Sequence, residues 1–161
     1  MTVNEYNQCV DQHSDGVYRF ILKNIRDEEA AMDIVQDAFE KMWMKFREVK
    51  ASSAKSYLFT SAYNRMIDYT RREKRMERMA EGYDYGQMDS GHYNDVKQVL
   101  DEALERLPEI QKSVILLRDY EGYNYEEIGQ ITGLNESQVK VYIFRGRMAL
   151  KNYLVSIENL V

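Results

Sequence analysis

The stretch from Tyr125 to Arg147, YEEIGQITGLNESQVKVYIFRGR, decides the fold. Apolar residues at helical spacing run from Tyr125 to Thr132, pause at Gly133-Leu134-Asn135, and resume from Glu136 to about Leu154. Asn135 is placed to cap the second helix, with Gln138 three residues on completing a variant of the capping box. Two helices that cross closely at a steep angle need a small residue in the first and a residue free to adopt positive φ in the turn. Gly129 and Gly133 meet those needs, and Ile128, Ile131, Leu134, Val139, Ile143, Gly146 and Leu150 then form the inward face. Ser137, Gln138, Lys140, Val141, Phe144 and Arg145 are left on the opposite face, near the helix end that a helix-turn-helix pushes into a major groove. Gln pairs with adenine, Lys or Arg with guanine or phosphate, and Val touches a thymine methyl. The glycine spacing alone would serve any two core helices; the basic, well-capped second helix turns the reading toward DNA.

Upstream, a helix from Val96 to Leu107 stops at Pro108, and another runs from Ile110 to Tyr120 with Val114, Leu116 and Leu117 on its buried side. Residues 79–95, MAEGYDYGQMDSGHYND, hold three glycines among polar residues without a sustained period and read as a linker. Three further helices precede it. The first spans about Asn4 to Asn24 as one helix or two, with Gly16 as the irregularity. In the second, Asp27 caps Ala31, Val35, Ala38, Phe39, Met42 and Phe46 at helical spacing, and the third extends from about Ser56 through Glu77. The expected fold is all-α: two small helical domains, residues 1–78 and 96–161, joined by a flexible acidic linker, the C-terminal one holding the helix-turn-helix.

Composition agrees. A chain of 161 residues allows one ordinary domain or two small ones, and no large enzyme scaffold with a separate cofactor domain. One proline and eight glycines are too few for a turn-rich β fold. The longest uncharged stretch, Ser56 to Asn64, is far shorter than a membrane span, which points to a cytoplasmic protein without membrane insertion. Cys9 alone excludes an internal disulfide, and His13 and His92 add too little for a zinc site, so no metal or cofactor is expected. No nucleophile, base and orienter fall together, which argues against an enzyme.

The net charge of −5 hides blocks of opposite sign. Arg71 to Arg78 holds five bases against two acids, and Glu136 to Tyr153 holds Lys140, Arg145, Arg147 and Lys151 against Glu136 alone. Between them, Glu81 to Glu105 carries seven acids against Lys97. Two basic faces at separate places suit a bipartite polyanion partner.

In order and spacing, these residues resemble the extracytoplasmic-function sigma factors of the sigma-70 family of bacterial RNA polymerase. The N-terminal half carries Met32-Asp33-Ile34-Val35-Gln36-Asp37-Ala38-Phe39 with Trp43 behind it, then Tyr57-Leu58, Ala62-Tyr63-Asn64, Ile67-Asp68-Tyr69 and Arg71-Arg72. The C-terminal half carries Leu107-Pro108, Gln111, Val114, Leu117-Arg118, Glu121-Gly122, Tyr125 to Gly129, Gly133, Val139-Lys140 and Arg145-Gly146-Arg147. The likeness implies a non-catalytic protein that binds core RNA polymerase, steers it to promoter DNA with paired elements, and helps to melt the downstream one.

By the same resemblance, Asp33, Gln36 and Asp37 project toward the clamp helices of the largest polymerase subunit, while Phe39 and Trp43 pack the domain. Lys50, Ser52, Ser53 and Lys55 lie in the loop that accepts a flipped base of the −10 element, whose extrusion must be offset by contacts in a pocket. Asn64, Tyr69, Arg71 and Arg72 match strand-holding residues, with Tyr63 expected inside and Tyr69 outside. Ser137, Gln138, Lys140, Val141, Phe144 and Arg145 face the −35 element. An anti-sigma factor is a family expectation. The chain departs from the family where Tyr57 replaces a frequent Trp, where Gly129 and Gly146 replace Ala, and in the apolar run Val141 to Phe144; the last favours methyl or sugar contacts over hydrogen bonds. Seventeen linker residues reach at most about 56 to 61 Å, and with a radius of about 12 Å in each domain this lets the two domains address elements about 70 Å apart. A stand-alone helix-turn-helix regulator that binds duplex DNA without polymerase is the alternative; it has no need of the Asp33 to Trp43 motif.

Overall fold

A computed structural model describes residues 1–80 and 96–158. Residues 81–95, which hold most of the expected acidic linker, lie outside the described residues. The elements are α1 (Val3–Ile25), α2 (Glu28–Met44), a short 3-10 turn (Ala51–Ser53), α3 (Ala54–Met79), α4 (Val96–Glu105), α5 (Glu109–Ile115), a widened π-type turn (Leu116–Tyr120), α6 (Tyr125–Thr132) and α7 (Glu136–Glu158). There is no strand among the described residues.

Local signals set most of these boundaries. Thr2 and Glu5 form a capping box that starts α1, which runs unbroken through Gly16. Arg26 ends it with a left-handed φ of 57°, and its N–H donates to the Leu22 carbonyl. Asp27 caps α2 as expected, accepting from the Ala30 N–H at 3.0 Å. Val17, Phe20, Ile21, Ala31, Ile34, Ala38, Met42, Leu58, Phe59, Ala62 and Met66 interlock the first three helices into a buried core. Tyr63 is inside, as expected. Trp43 is not: it is 44% exposed, edge-on to Tyr6 at 4.9 Å and stacked on Phe46 at 4.8 Å. It sits at the last turn of α2, where an aromatic plate covers the helix end instead of filling the interior. Met79 still belongs to α3, so the helix overruns the expected start of the linker.

In the second half, α5 is shorter than the expected Ile110 to Tyr120 helix. The Glu121 N–H reaches the Leu116 carbonyl at 3.0 Å, five residues back, which widens the last turn. Gly122, at a φ of 75°, then turns the chain, and Asn124 and Glu127 form the capping box that starts α6.

The sequence left the arrangement of the two halves open; in the structure they pack on each other. Tyr123, 2% exposed, meets Phe59 of α3 edge-on at 5.2 Å. Lys112, buried on α5, donates to the Asn24 carbonyl at 2.5 Å, and Ser113 donates to the Asn24 side-chain oxygen at 2.9 Å. Around this core Arg19 forms a two-pronged pair with Glu121, both contacts at 2.9 Å, and Lys23 pairs with Asp101 at 3.1 Å. The α1, α3 and α5 surfaces bound a cleft of about 560 Å³ lined by Asn24, Tyr69, Glu73, Glu105, Glu109 and Lys112, among others.

Candidate nucleic-acid interface

The helix-turn-helix has the expected geometry. Gly133 has a φ of 81°, and a Cβ on Gly129 would lie 2.7 Å from the Leu134 carbonyl oxygen, so the glycine admits the turn against α6. Asn135 and Gln138 cap α7 reciprocally: the Gln138 N–H donates to Asn135 Oδ1 at 2.8 Å and the Asn135 N–H to Gln138 Oε1 at 3.0 Å. Val139 and Ile143 are buried against Ile128 and Ile131. Gly146 is buried too, where a Cβ would press on the Ile115 side chain.

Ser137, Gln138, Lys140, Val141, Phe144 and Arg145 are consequently all exposed on one face of the first turns of α7. A concavity of about 310 Å³ on that face is lined by Asn135, Ser137, Gln138, Val141, Tyr142 and Arg145. Lys140 bridges to Glu136 at 3.6 Å and lies over the Tyr125 ring at 5.5 Å. Phe144 is 66% exposed and Val141 43%, which leaves two apolar side chains on this face in contact with water. Arg147 is tied to Asp119 instead and is fixed as a brace between α7 and the π-type turn.

The second cluster lies on α3 and the turn before it. Lys50, Ser52 and Ser53 are exposed on the turn, whose Ser53 N–H donates to the Lys50 carbonyl at 2.9 Å. Lys55 is half-buried, its ammonium 4.5 Å from the Tyr123 ring centroid, so the second half of the chain stands beside this loop. Asn64, Arg71 and Arg72 are exposed. Tyr69, expected outside, is half-buried: its hydroxyl donates to Asp27 Oδ2 at 3.3 Å. Burial, then the nearby Glu73 and Asp27 carboxylates, push its phenol up to about 12.

The third cluster is on α2. Asp33, Gln36 and Asp37 are exposed, one turn apart. Like charges at i and i+4 cost a few tenths of a kcal/mol unless compensated. Asp37 is compensated by Arg65 of α3, whose Nε donates to Asp37 Oδ2 at 3.0 Å. The Nη1 of Arg65 is buried without a partner, an arrangement that costs about 1 to 3 kcal/mol. Sequence reasoning missed Arg65, and missed Asn24, Lys112, Glu121 and Tyr123 at the contact between the halves. No local signal announces the burial of Lys112, whose neighbours Gln111 and Ser113 are both polar.

No helix among the described residues is long and apolar enough to cross a membrane. No cluster of His, Cys, Asp or Glu there is fit to hold a metal ion.

Comparison with known proteins gives this geometry a context. The sigma-70 region 2 family matches residues 9–76, and the sigma-70 region 4 family matches residues 97–150. The chain is similar to the RNA polymerase sigma factor SigV of Bacillus subtilis (strain 168), at 32% identity over 142 residues, covering 85% of this chain and 83% of SigV. It is also similar to the ECF RNA polymerase sigma factor SigM of the same organism, at 28% identity and 94% coverage of both. Among solved structures, the sigma factor RpoE in complex with the anti-sigma factor NepR from Bartonella quintana shares the fold, with a TM-score of 0.78 at 24% identity over 94% of this chain and 98% of that one.

Proposed function

Because the chain belongs to the sigma-70 family of RNA polymerase sigma factors, in its extracytoplasmic-function group, we propose a division of labour between its two halves. The protein binds core RNA polymerase and directs promoter-specific initiation, a task its family performs without catalysis. Residues 1–78 grasp polymerase and open the −10 element, residues 79–95 tether, and residues 96–161 read the −35 element.

On α2, Asp33, Gln36 and Asp37 offer acids to a basic partner surface. On the turn and α3, Lys50, Ser52, Ser53 and Lys55 border the flipped base, while Asn64, Tyr69, Arg71 and Arg72 hold the separated strand by stacking and phosphate contacts. On α7, Ser137, Gln138, Lys140, Val141, Phe144 and Arg145 enter the major groove. One observation carries this reading: six side chains chosen for groove contact are exposed together on the capped end of a helix whose other face is buried. The work is done on polymerase and chromosomal DNA, so the protein acts in the cytoplasm. The Bartonella relative is held by an anti-sigma factor, and an inhibitor of that kind is proposed for this chain too.

Reconstituted transcription tests the reading. Added to core polymerase, the purified chain is expected to yield transcripts from a defined set of start sites, and Asp37→Arg to lose core affinity at least tenfold. Start sites unchanged by its addition would overturn the assignment, and tight duplex binding without polymerase would favour a stand-alone regulator.

A further inference from the structure

We propose that Arg65 is a shared residue, held by Asp37 while the factor is free and handed to the backbone of the melted DNA strand when polymerase engages Asp37. This rests on the placing of Asp37 on the polymerase-facing surface.

The register of α3 supplies the first argument. Steps of four and three put Arg65, Tyr69 and Arg72 on one helical face, so Arg65 begins the same stripe that carries two strand-holding candidates, beside Asn64. In the free protein two α2 acids occupy this stripe: Asp27 takes the Tyr69 hydroxyl and Asp37 takes Arg65. Asp27 also caps α2 and is fixed there. Asp37 lies mid-helix with a side chain 47% exposed, within reach of an incoming cation.

The grip on Arg65 is slight. Asp37 meets it through Nε alone, not through the two-pronged fork that makes Arg–carboxylate pairs strong, and Nη1 is left buried without an acceptor. A side chain so held loses little by leaving. Once a basic polymerase surface neutralises Asp37, the guanidinium is an unpaired cation on a nucleic-acid-facing helix, and a phosphate accepts its planar fork. With Nε held by Asp37 and Nη1 buried, the guanidinium offers a phosphate no two-pronged edge until Asp37 lets go, so polymerase and strand assist each other by the same factor. The strength of an exposed ion pair puts that factor at about two- to fivefold.

The full-length protein and a fluorescent single-stranded DNA of about 16 nucleotides provide the test, by anisotropy at fixed salt. Asp37→Asn is expected to raise affinity for the strand about two- to fivefold. Glu40→Gln, which removes the same charge from the same helix, is expected to raise it by clearly less. Adding Arg65→Ala to Asp37→Asn should abolish the gain, with thermal melting used to show that each variant is folded. Equal gains from D37N and E40Q, or a gain that survives R65A, would overturn the handover. Core affinity measured in parallel separates the two ideas. A D37N protein that binds core as the parent does overturns the placing of Asp37 and the handover with it, whereas one that loses core affinity yet gains nothing on the strand overturns the handover alone.

Discussion

Gly133 shows how much of a site depends on one backbone angle. Its φ of 81° lies where a Cβ meets the following carbonyl, and no other atom is within 4 Å of that position, so the cost of a side chain there is purely conformational. Gly133→Ala should lose about 1 kcal/mol in urea denaturation, and Gly133→Asn less, because Asn tolerates the left-handed region. Tyr69 carries the clearest pH signature. Its phenol is raised from an ordinary value of 10 to about 12, so the stability gained by keeping it protonated is fully present below pH 10 and drains away as pH rises through 12. Burial raises Tyr123 in the same direction. Alkaline unfolding should therefore steepen above pH 10, and Tyr69→Phe should flatten it, with phenolate absorbance followed alongside circular dichroism. The residue identities of the exposed face of α7 were legible in the sequence because period and cap fix which way the helix turns. Arg65 was not, since its partner lies 28 residues away on another helix and no local pattern announces the meeting.

Helices are where sequence reading worked best, and α7 shows why. Its start is written in Asn135 and Gln138, whose side chains and backbone exchange hydrogen bonds, and its buried face in Val139 and Ile143. Asn135→Ala should cost about 1 kcal/mol of stability in thermal melting. It should also weaken duplex binding, because the fraying turn carries Ser137 and Gln138; a variant that melts earlier yet keeps full affinity would separate the cap from the reading head. The π-type turn at Leu116–Tyr120 was illegible by contrast. LLRDY has the composition of a continuing helix, and the extra residue in its last turn answers to Gly122 and Tyr123 beyond it and to the docking of Tyr123 on Phe59. Tertiary packing, not local preference, sets that boundary.

At the scale of the whole molecule, the two halves recognisable in the sequence form a joint surface that the sequence did not reveal. Lys112 reads locally as a solvated lysine and is buried only because the Asn24 carbonyl of the other half awaits it. The rim pair is unequal: the Glu121 side chain is 6% exposed and Arg19 49% exposed. Arg19→Ala leaves a shielded carboxylate without its donor, a loss of about 2 kcal/mol from the joint. Small-angle scattering should show a larger radius of gyration for that variant, and the exchange Arg19→Glu with Glu121→Arg should recover part of the compaction. An unchanged radius in the single variant would mean that Lys112, Asn24 and the Phe59–Tyr123 contact hold the halves without help.

The ring of Tyr123 against the Lys55 ammonium ties this joint to the loop proposed to receive a base. While that cation rests on an aromatic neighbour, stray single strands in the cell meet a competitor already in place. Such a contact is worth about 0.5 to 1 kcal/mol, so a factor closed in this way should hold a single strand a few-fold more weakly than one whose halves are parted.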